Sequence, residues 1–268
     1  MLNKLFVICI PGFIENNPII PKDNQCVYLT KNVPQCDLIV STDNYIYINT
    51  SKLTLYVSVE SPLTRLNNQE DFTYTATISP ESTFQLSAWV MPSEKEFKTK
   101  NPNYKRNGKG IILISNCIQF RINIVSEMCK EGFNVDVYGS CYVKYCNNIK
   151  LTDRYDKNWN NKKKDLISQY SYVLAIENTQ EYNYATEKVY DPLVTHTLPF
   201  YFGASNINDL IPHPDSIIRN KRYLQKVLNT PHLYKYHTEG WRNLPFTGYK
   251  RNTQTLTDIL NELCNKHS

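Results

Sequence analysis

The chain has 268 residues, enough for one large domain or two modest ones. With 41% hydrophobic and 21% charged residues it is an ordinary folded protein, and its formal charge of +5 suits an anionic small molecule while being too weak and scattered for a nucleic-acid binder. Eight dilute cysteines argue against a disulfide scaffold, the lack of a Cys-x-x-Cys pair against zinc, and the lack of a long apolar run against a membrane span.

The amino-terminal run "LFVICI" reads as a buried strand entering a turn at Pro11-Gly12, since no small-x-small cleavage site follows to mark a signal peptide. "CDLIVS", "LTLYVSVE", "FTYTAT" and "FQLSAWV" are further short strands, rich in β-branched and aromatic residues. Glu60 stands at the end of one of them, before Pro62. A solvated loop glutamate is the plainer reading, and a general base facing a cleft is the functional one. The charged stretch 93–109, with Pro102 and Gly108 and no core pattern, reads as a linker between a domain at 1–92 and another at 110–268, whose last helix could pack back on the first.

After it the pattern alternates. "GIILIS" is a buried strand, and "RINIVSEMCKEG" a helix stopped at Gly132. "FNVDVYGS" is a strand, "DLISQYSYVLAIE" a short helix and a strand, "ATEKVYDPLVTHT" a helix, and "LPFYFGA" a strand. Such alternation means a parallel sheet with helices on its faces, whose ligands bind at the carboxyl ends of the strands. "TDILNELCNK" is a last amphipathic helix. Pro192 should kink or shorten the helix around it. Cys141 and Cys146 could bridge each other in an oxidising compartment, or be buried free thiols.

In a sheet of this kind Asn116, the Tyr-Gly-Ser-Cys segment and "IENTQEYNYATEK" leave neighbouring strands at one edge. Arg121 and Lys188 would both lie there at helix starts. Thr186 is the expected N-cap and Glu187 an ordinary first-turn acid, but a lysine in that turn is unfavourable by roughly 0.3–1 kcal/mol unless an anion faces it. Taken alone, Lys188 is a surface lysine paired with Glu187 or Asp191. With Arg121 converging on it, a diphosphate becomes the better ligand. No Gly-x-Gly-x-x-Gly, Walker loop or Asp-x-Asp pair supports a redox cofactor, P-loop chemistry or a phosphate-bridging metal.

These stretches resemble the signature region of glycosyltransferase family 10, the α1,3/4-fucosyltransferases. The resemblance rests on "IENTQEYNYATEKVYD" with the following Gly203 and Pro214, on the upstream Ser-Asn-Cys, Arg121 and Tyr-Gly-Ser-Cys, and on "VESP" with "FTYTAT". It implies a GT-B fold, an α/β architecture of two Rossmann-like domains with an interdomain active-site cleft. It also implies inverting transfer of L-fucose from GDP-β-L-fucose to a GlcNAc-containing glycan. Under it Glu60 resembles the base, Arg121 and Lys188 the diphosphate clamp, Glu187 the carboxylate beside the donor sugar, and Tyr184, Asn178 and Asn116 donor-binding residues. No cofactor is required, a divalent ion being at most a stimulant. The partners are GDP-fucose and an oligosaccharide or glycoprotein, without nucleic acid or a transmembrane segment. A soluble cytoplasmic setting is favoured, or the Golgi lumen within a eukaryotic glycosylation pathway. The alternatives are transfer of another nucleotide sugar on the same scaffold, since "TISPEST" lacks the arginine of Lewis-type members, and a catalytically decayed glycan-binding protein.

Overall fold

The computed structural model describes residues 8–9, 37–42, 52–58, 71–77, 79, 81–86, 92–99, 105–149, 158–247 and 256–267. The chain forms two units, Met1–Ala88 with Arg251–Ser268, and Trp89–Lys250.

In the first unit the short apolar runs become β1 (Ile8–Cys9), β2 (Leu38–Thr42), β3 (Leu53–Ser58), β4 (Tyr74–Thr77) and β5 (Phe84–Gln85), all parallel and in sequence order across the sheet. Leu38, Val40, Leu55 and Ala76 alternate onto one face. They pack against Ile259, Leu260, Leu263 and Cys264 of a helix at Leu256–His267. The i, i+1, i+4, i+5 spacing of those four is the apolar stripe of an amphipathic helix. Tyr74 fixes the helix end through a 2.8 Å hydrogen bond to Nε2 of His267. The last helix of the block at 110–268 thus packs back on the first unit and supplies part of its core.

The second unit starts earlier than expected. The charged stretch 93–109 is no spacer over its described part. Helix α1 (Glu94–Lys98) opens with a Ser93/Glu96 capping box and buries Phe97 completely against Trp241 and Phe246. Two aromatics, Phe97 and Tyr104, in a polar run were too little pattern to show this.

Strands β6 (Gly110–Ile114), β7 (Val135–Gly139), β8 (Asn147–Ile149), β9 (Tyr172–Ile176) and β10 (Leu198–Phe202) form a parallel sheet in the order β10-β9-β6-β7-β8. Between them run α2 (Gln119–Lys130), α3 (Trp159–Ser168) and α4 (Glu187–Val194). Two sides of the sheet carry separate cores. Ile111, Val173, Ala175 and Tyr201 face α4 and Trp241, whereas Ile112, Val137, Leu174 and Phe200 face α2. The eight-residue length of α4 fits Pro192 near its end, since proline removes one helical hydrogen bond. The chain runs outward from β6 to β8 and then returns to β9 on the other side of β6. That reversal between β6 and β9 opens a crevice at their carboxyl ends.

Cys141 and Cys146 do not bridge each other. Cys117 joins Cys141, and Cys129 joins Cys146. The reason is topological: β6 and β7 are parallel neighbours, so the loops holding Cys117 and Cys141 leave the same edge. Cys146, just before β8, lies instead within reach of Cys129 on α2.

His196, after α4, adopts φ 58° and is buried, with Nε2 donating to the Thr99 carbonyl at 2.7 Å. Burial, with Arg242 nearby, pushes its pKa down to about 4. Between that value and the ordinary ~6.5, the unfolded chain binds a proton that the folded one refuses, so stability falls as the pH drops through this window. Urea unfolding should show wild type losing roughly 2 kcal/mol more than His196→Gln between pH 7.5 and pH 5. Equal losses in the two proteins would contradict a buried neutral histidine.

Candidate active site

The site is built where the sheet reverses. β9 is buried at all five positions, Tyr172 to Ile176, and the next residue, Glu177, is buried completely as well. Its Oε1 accepts from the Thr186 N–H at 2.8 Å and its Oε2 from the Thr186 hydroxyl at 2.7 Å. Gly203 makes the space: a Cβ there would fall 2.5 Å from Cγ of Glu177 and 2.4 Å from the Tyr201 hydroxyl.

Thr186 is the N-cap of α4, as its hydroxyl oxygen accepting from the Lys188 N–H attests. Lys188 folds back over its own helix start. Its Nζ donates to Thr186 Oγ1 at 2.9 Å and lies 3.3 Å from both Glu177 Oε2 and Glu187 Oε1. Burial opposes its charge, but the two carboxylates outweigh that and hold the pKa above the usual lysine value. Burial also raises Glu177, against the pull of Lys188 and Thr186. Glu187 lies below the usual carboxylate range because Lys188 and Lys163 overcome its desolvation.

Arg121, in the first turn of α2, is only 2% exposed and reaches the same place. Its Nη1 donates to Asn178 Oδ1 at 2.9 Å and to the Asn116 carbonyl at 3.4 Å. Its Nε is buried without a hydrogen-bond partner among the described residues. Tyr184 is buried close enough to influence the charges of both Arg121 and Lys188. The loop between Glu177 and Thr186 is held from outside as well. Asn183, at φ 62°, donates its N–H to Asn206 Oδ1 and accepts from Asn206 Nδ2, both at 2.8 Å. Opposite, Gly139 closes β7 at φ 137°, where any Cβ would overlap the Ile114 carbonyl.

The structure thus gathers Arg121, Asn178, Tyr184, Glu187 and Lys188 in one cluster. Asn116 joins it through its backbone carbonyl. Glu60 lies outside the described residues. Glu177 is the residue that sequence reasoning passed over. A carboxylate directly after an unbroken apolar strand, with a glycine after the neighbouring strand, was the signal available. A larger cavity of about 480 Å³ sits at the opposite, amino-terminal edge of the sheet, beside Gly108, Phe133, Tyr172 and Tyr234. No lysine, arginine or histidine lines it, so it has no charge to offer an anion. Among the described residues no group of three His, Cys, Asp or Glu side chains is arranged to hold a metal, and no helix is long and apolar enough to cross a membrane.

Comparison with known proteins settles the lineage. The family description "Glycosyltransferase family 10 (fucosyltransferase) C-term" matches residues 103–266. The chain belongs to glycosyltransferase family 10. Among its family 10 relatives, Drosophila melanogaster alpha-(1,3)-fucosyltransferase B is 28% identical over 194 residues, covering 63% of this chain and 43% of the relative. Xenopus laevis GDP-fucose protein O-fucosyltransferase 3 is 30% identical over 168 residues, covering 57% of this chain and 34% of the relative. The chain therefore matches less than half the length of either. The crystal structure of an alpha1,3-fucosyltransferase with GDP aligns at TM-score 0.66 and 16% identity, over 98% of this chain and 91% of that one. This likeness shows the fold, the GT-B architecture with its parallel α/β units.

Proposed function

We propose that this family 10 chain transfers L-fucose from GDP-β-L-fucose to a GlcNAc-containing acceptor in α1,3 linkage, with inversion and without a metal. One observation carries the reading: Arg121 and Lys188, two largely buried cations, converge where β6 and β9 diverge. As the sugar–phosphate bond breaks, negative charge accumulates on the departing diphosphate. Fixed cations beside it stabilise the transition state more than the ground state. Glu187 stands next to Lys188, where a carboxylate can face the positive charge that develops on the sugar. Asn178, Tyr184 and Asn116 complete the donor side. Glu60 is proposed as the base that takes the acceptor's proton. Family membership supports this reading, as do the relatives named as fucosyltransferases and the solved structures titled with GDP and GDP-fucose.

The acceptor admits a second reading. The Xenopus relative is named a protein O-fucosyltransferase, which favours a polypeptide acceptor. The two bridges, Cys117–Cys141 and Cys129–Cys146, favour maturation in an oxidising compartment over a reducing cytosol.

The test is a thermal-shift and turnover screen. GDP and GDP-fucose at ~100 times Kd should stabilise the protein by about 2.7 kcal/mol, and fucose should move to glycan or peptide acceptors offered separately. Absence of stabilisation by either nucleotide would overturn the donor assignment, and stabilisation without turnover would point to a glycan-binding protein.

A further inference from the structure

We propose that Lys163 and Asp191 form, with Arg121 and Glu187, a subsite for the hydroxyl groups of the donor's sugar, and so select the sugar rather than the nucleotide. The inference rests on the nucleotide-sugar reading of the site and adds to it the residues that would grip the sugar.

A cavity of about 60 Å³ adjoins the cation pair, walled by apolar side chains of β6, β9 and α3 and by Arg121, Lys163, Glu187, Lys188 and Asp191. One water needs about 10–15 Å³ of such space, so the cavity has room for several neighbouring oxygen atoms, such as the hydroxyl-bearing edge of a ring, and not for a whole nucleotide. Its lining mixes three cations, which donate, with two carboxylates, which accept. A hydroxyl both donates and accepts, so neighbouring hydroxyls on one sugar edge match such a lining. A phosphate placed in the cavity would meet Glu187 and Asp191, and an apolar group would strip water from five charges.

The ion pair itself lacks a structural reason. Lys163 Nζ lies 2.6 Å from Asp191 Oδ2, with side chains only 13% and 11% exposed. Apolar residues of similar size generally hold two packed helices as well as a buried pair or better, so joining α3 to α4 does not account for it. Burial lifts the Asp191 carboxyl against Lys163, and the same lysine lowers Glu187. Arg121, which also lines the cavity, keeps its buried Nε without a hydrogen-bond partner among the described residues. Buried N–H groups are rarely left so, and a bound hydroxyl would accept from this one.

The test uses Lys163→Met combined with Asp191→Leu, which removes one charge of each sign and leaves the net charge of the site unchanged. Calorimetric titration with GDP should give a Kd within about twofold of wild type, whereas GDP-fucose should weaken about tenfold or more, the scale of losing a hydrogen bond to a charged group. Asp191→Asn, nearly isosteric, should shift the same ratio in the same direction and serves if the double variant does not fold. Equal weakening of both ligands, or no weakening of either, would overturn the subsite. A wild-type protein that binds neither ligand would overturn the nucleotide-sugar reading itself, and the subsite with it.

Discussion

Replacing Lys188 with alanine is expected to lower turnover with GDP-fucose by ~10²–10³-fold, the scale seen when one preorganised group facing a developing charge is removed. The loss should fall mainly on kcat. The ammonium sits 3.3 Å from two carboxylates in the free protein, so its interaction with a ground-state diphosphate is already shared. As the leaving group gains charge, the balance tips toward it, and only that increment accelerates the reaction. Removing Lys188 also takes from the buried Glu177 the cation paired with it, and breaking a buried pair costs roughly 3–5 kcal/mol. Urea unfolding of the same variant therefore has to accompany the kinetics. Lys188→Arg keeps the charge and should recover part of the rate while restoring most of the stability. Near-normal kcat in a folded Lys188→Ala protein at saturating donor would remove Lys188 from the mechanism.

Replacing Arg106 with methionine should destabilise the second unit by about 3–5 kcal/mol without touching the donor site. One guanidinium there reaches five acceptors. Its Nη1 donates to the carbonyls of Ser168 and Tyr170 and to Thr197 Oγ1, and its Nη2 to the carbonyls of Thr195 and His196, over 2.7–3.3 Å. It thereby ties the ends of α3 and α4 to the starts of β9 and β10, at the edge of the sheet opposite the catalytic cluster. Each hydrogen bond to a charged group contributes ~1.5–3 kcal/mol, and solvent can satisfy only some of these carbonyls once the arginine is gone. A urea midpoint shift with kcat/KM preserved below the transition is the expected result. An unchanged midpoint would show that water replaces the arginine fully.

The sequence made some of this readable and hid the rest for physical reasons. The start of α4 was legible because Thr186, Glu187 and Lys188 are residues with strong positional meaning at a helix terminus. The convergence of Arg121 on that start followed from the strand–helix alternation alone. Glu177 was harder, because a buried acid and a solvated one look the same beside a strand, and the glycine that makes its space lies 26 residues further on (203 − 177). Arg106 and Phe97 were lost in a polar run, where a single anchoring side chain gives no periodicity. The three-residue edge strand Asn147–Ile149 has neither β-branched enrichment nor alternation, since its partner is on one side only and it is largely exposed. The disulfide partners followed from strand adjacency, which spacing along the chain does not contain.

The helix at Leu256–His267 belongs to the core of Leu38, Val40 and Leu55, although residues 89–250 separate it from them. During synthesis, then, the β2–β3 face emerges first and waits uncovered while the whole second unit is made. The carboxyl-terminal unit in sequence can finish folding before the amino-terminal one. Ribosome-bound chains halted before Leu256 would carry a complete sheet of the second kind beside a first sheet still open on one face, which is where a chaperone would find its grip.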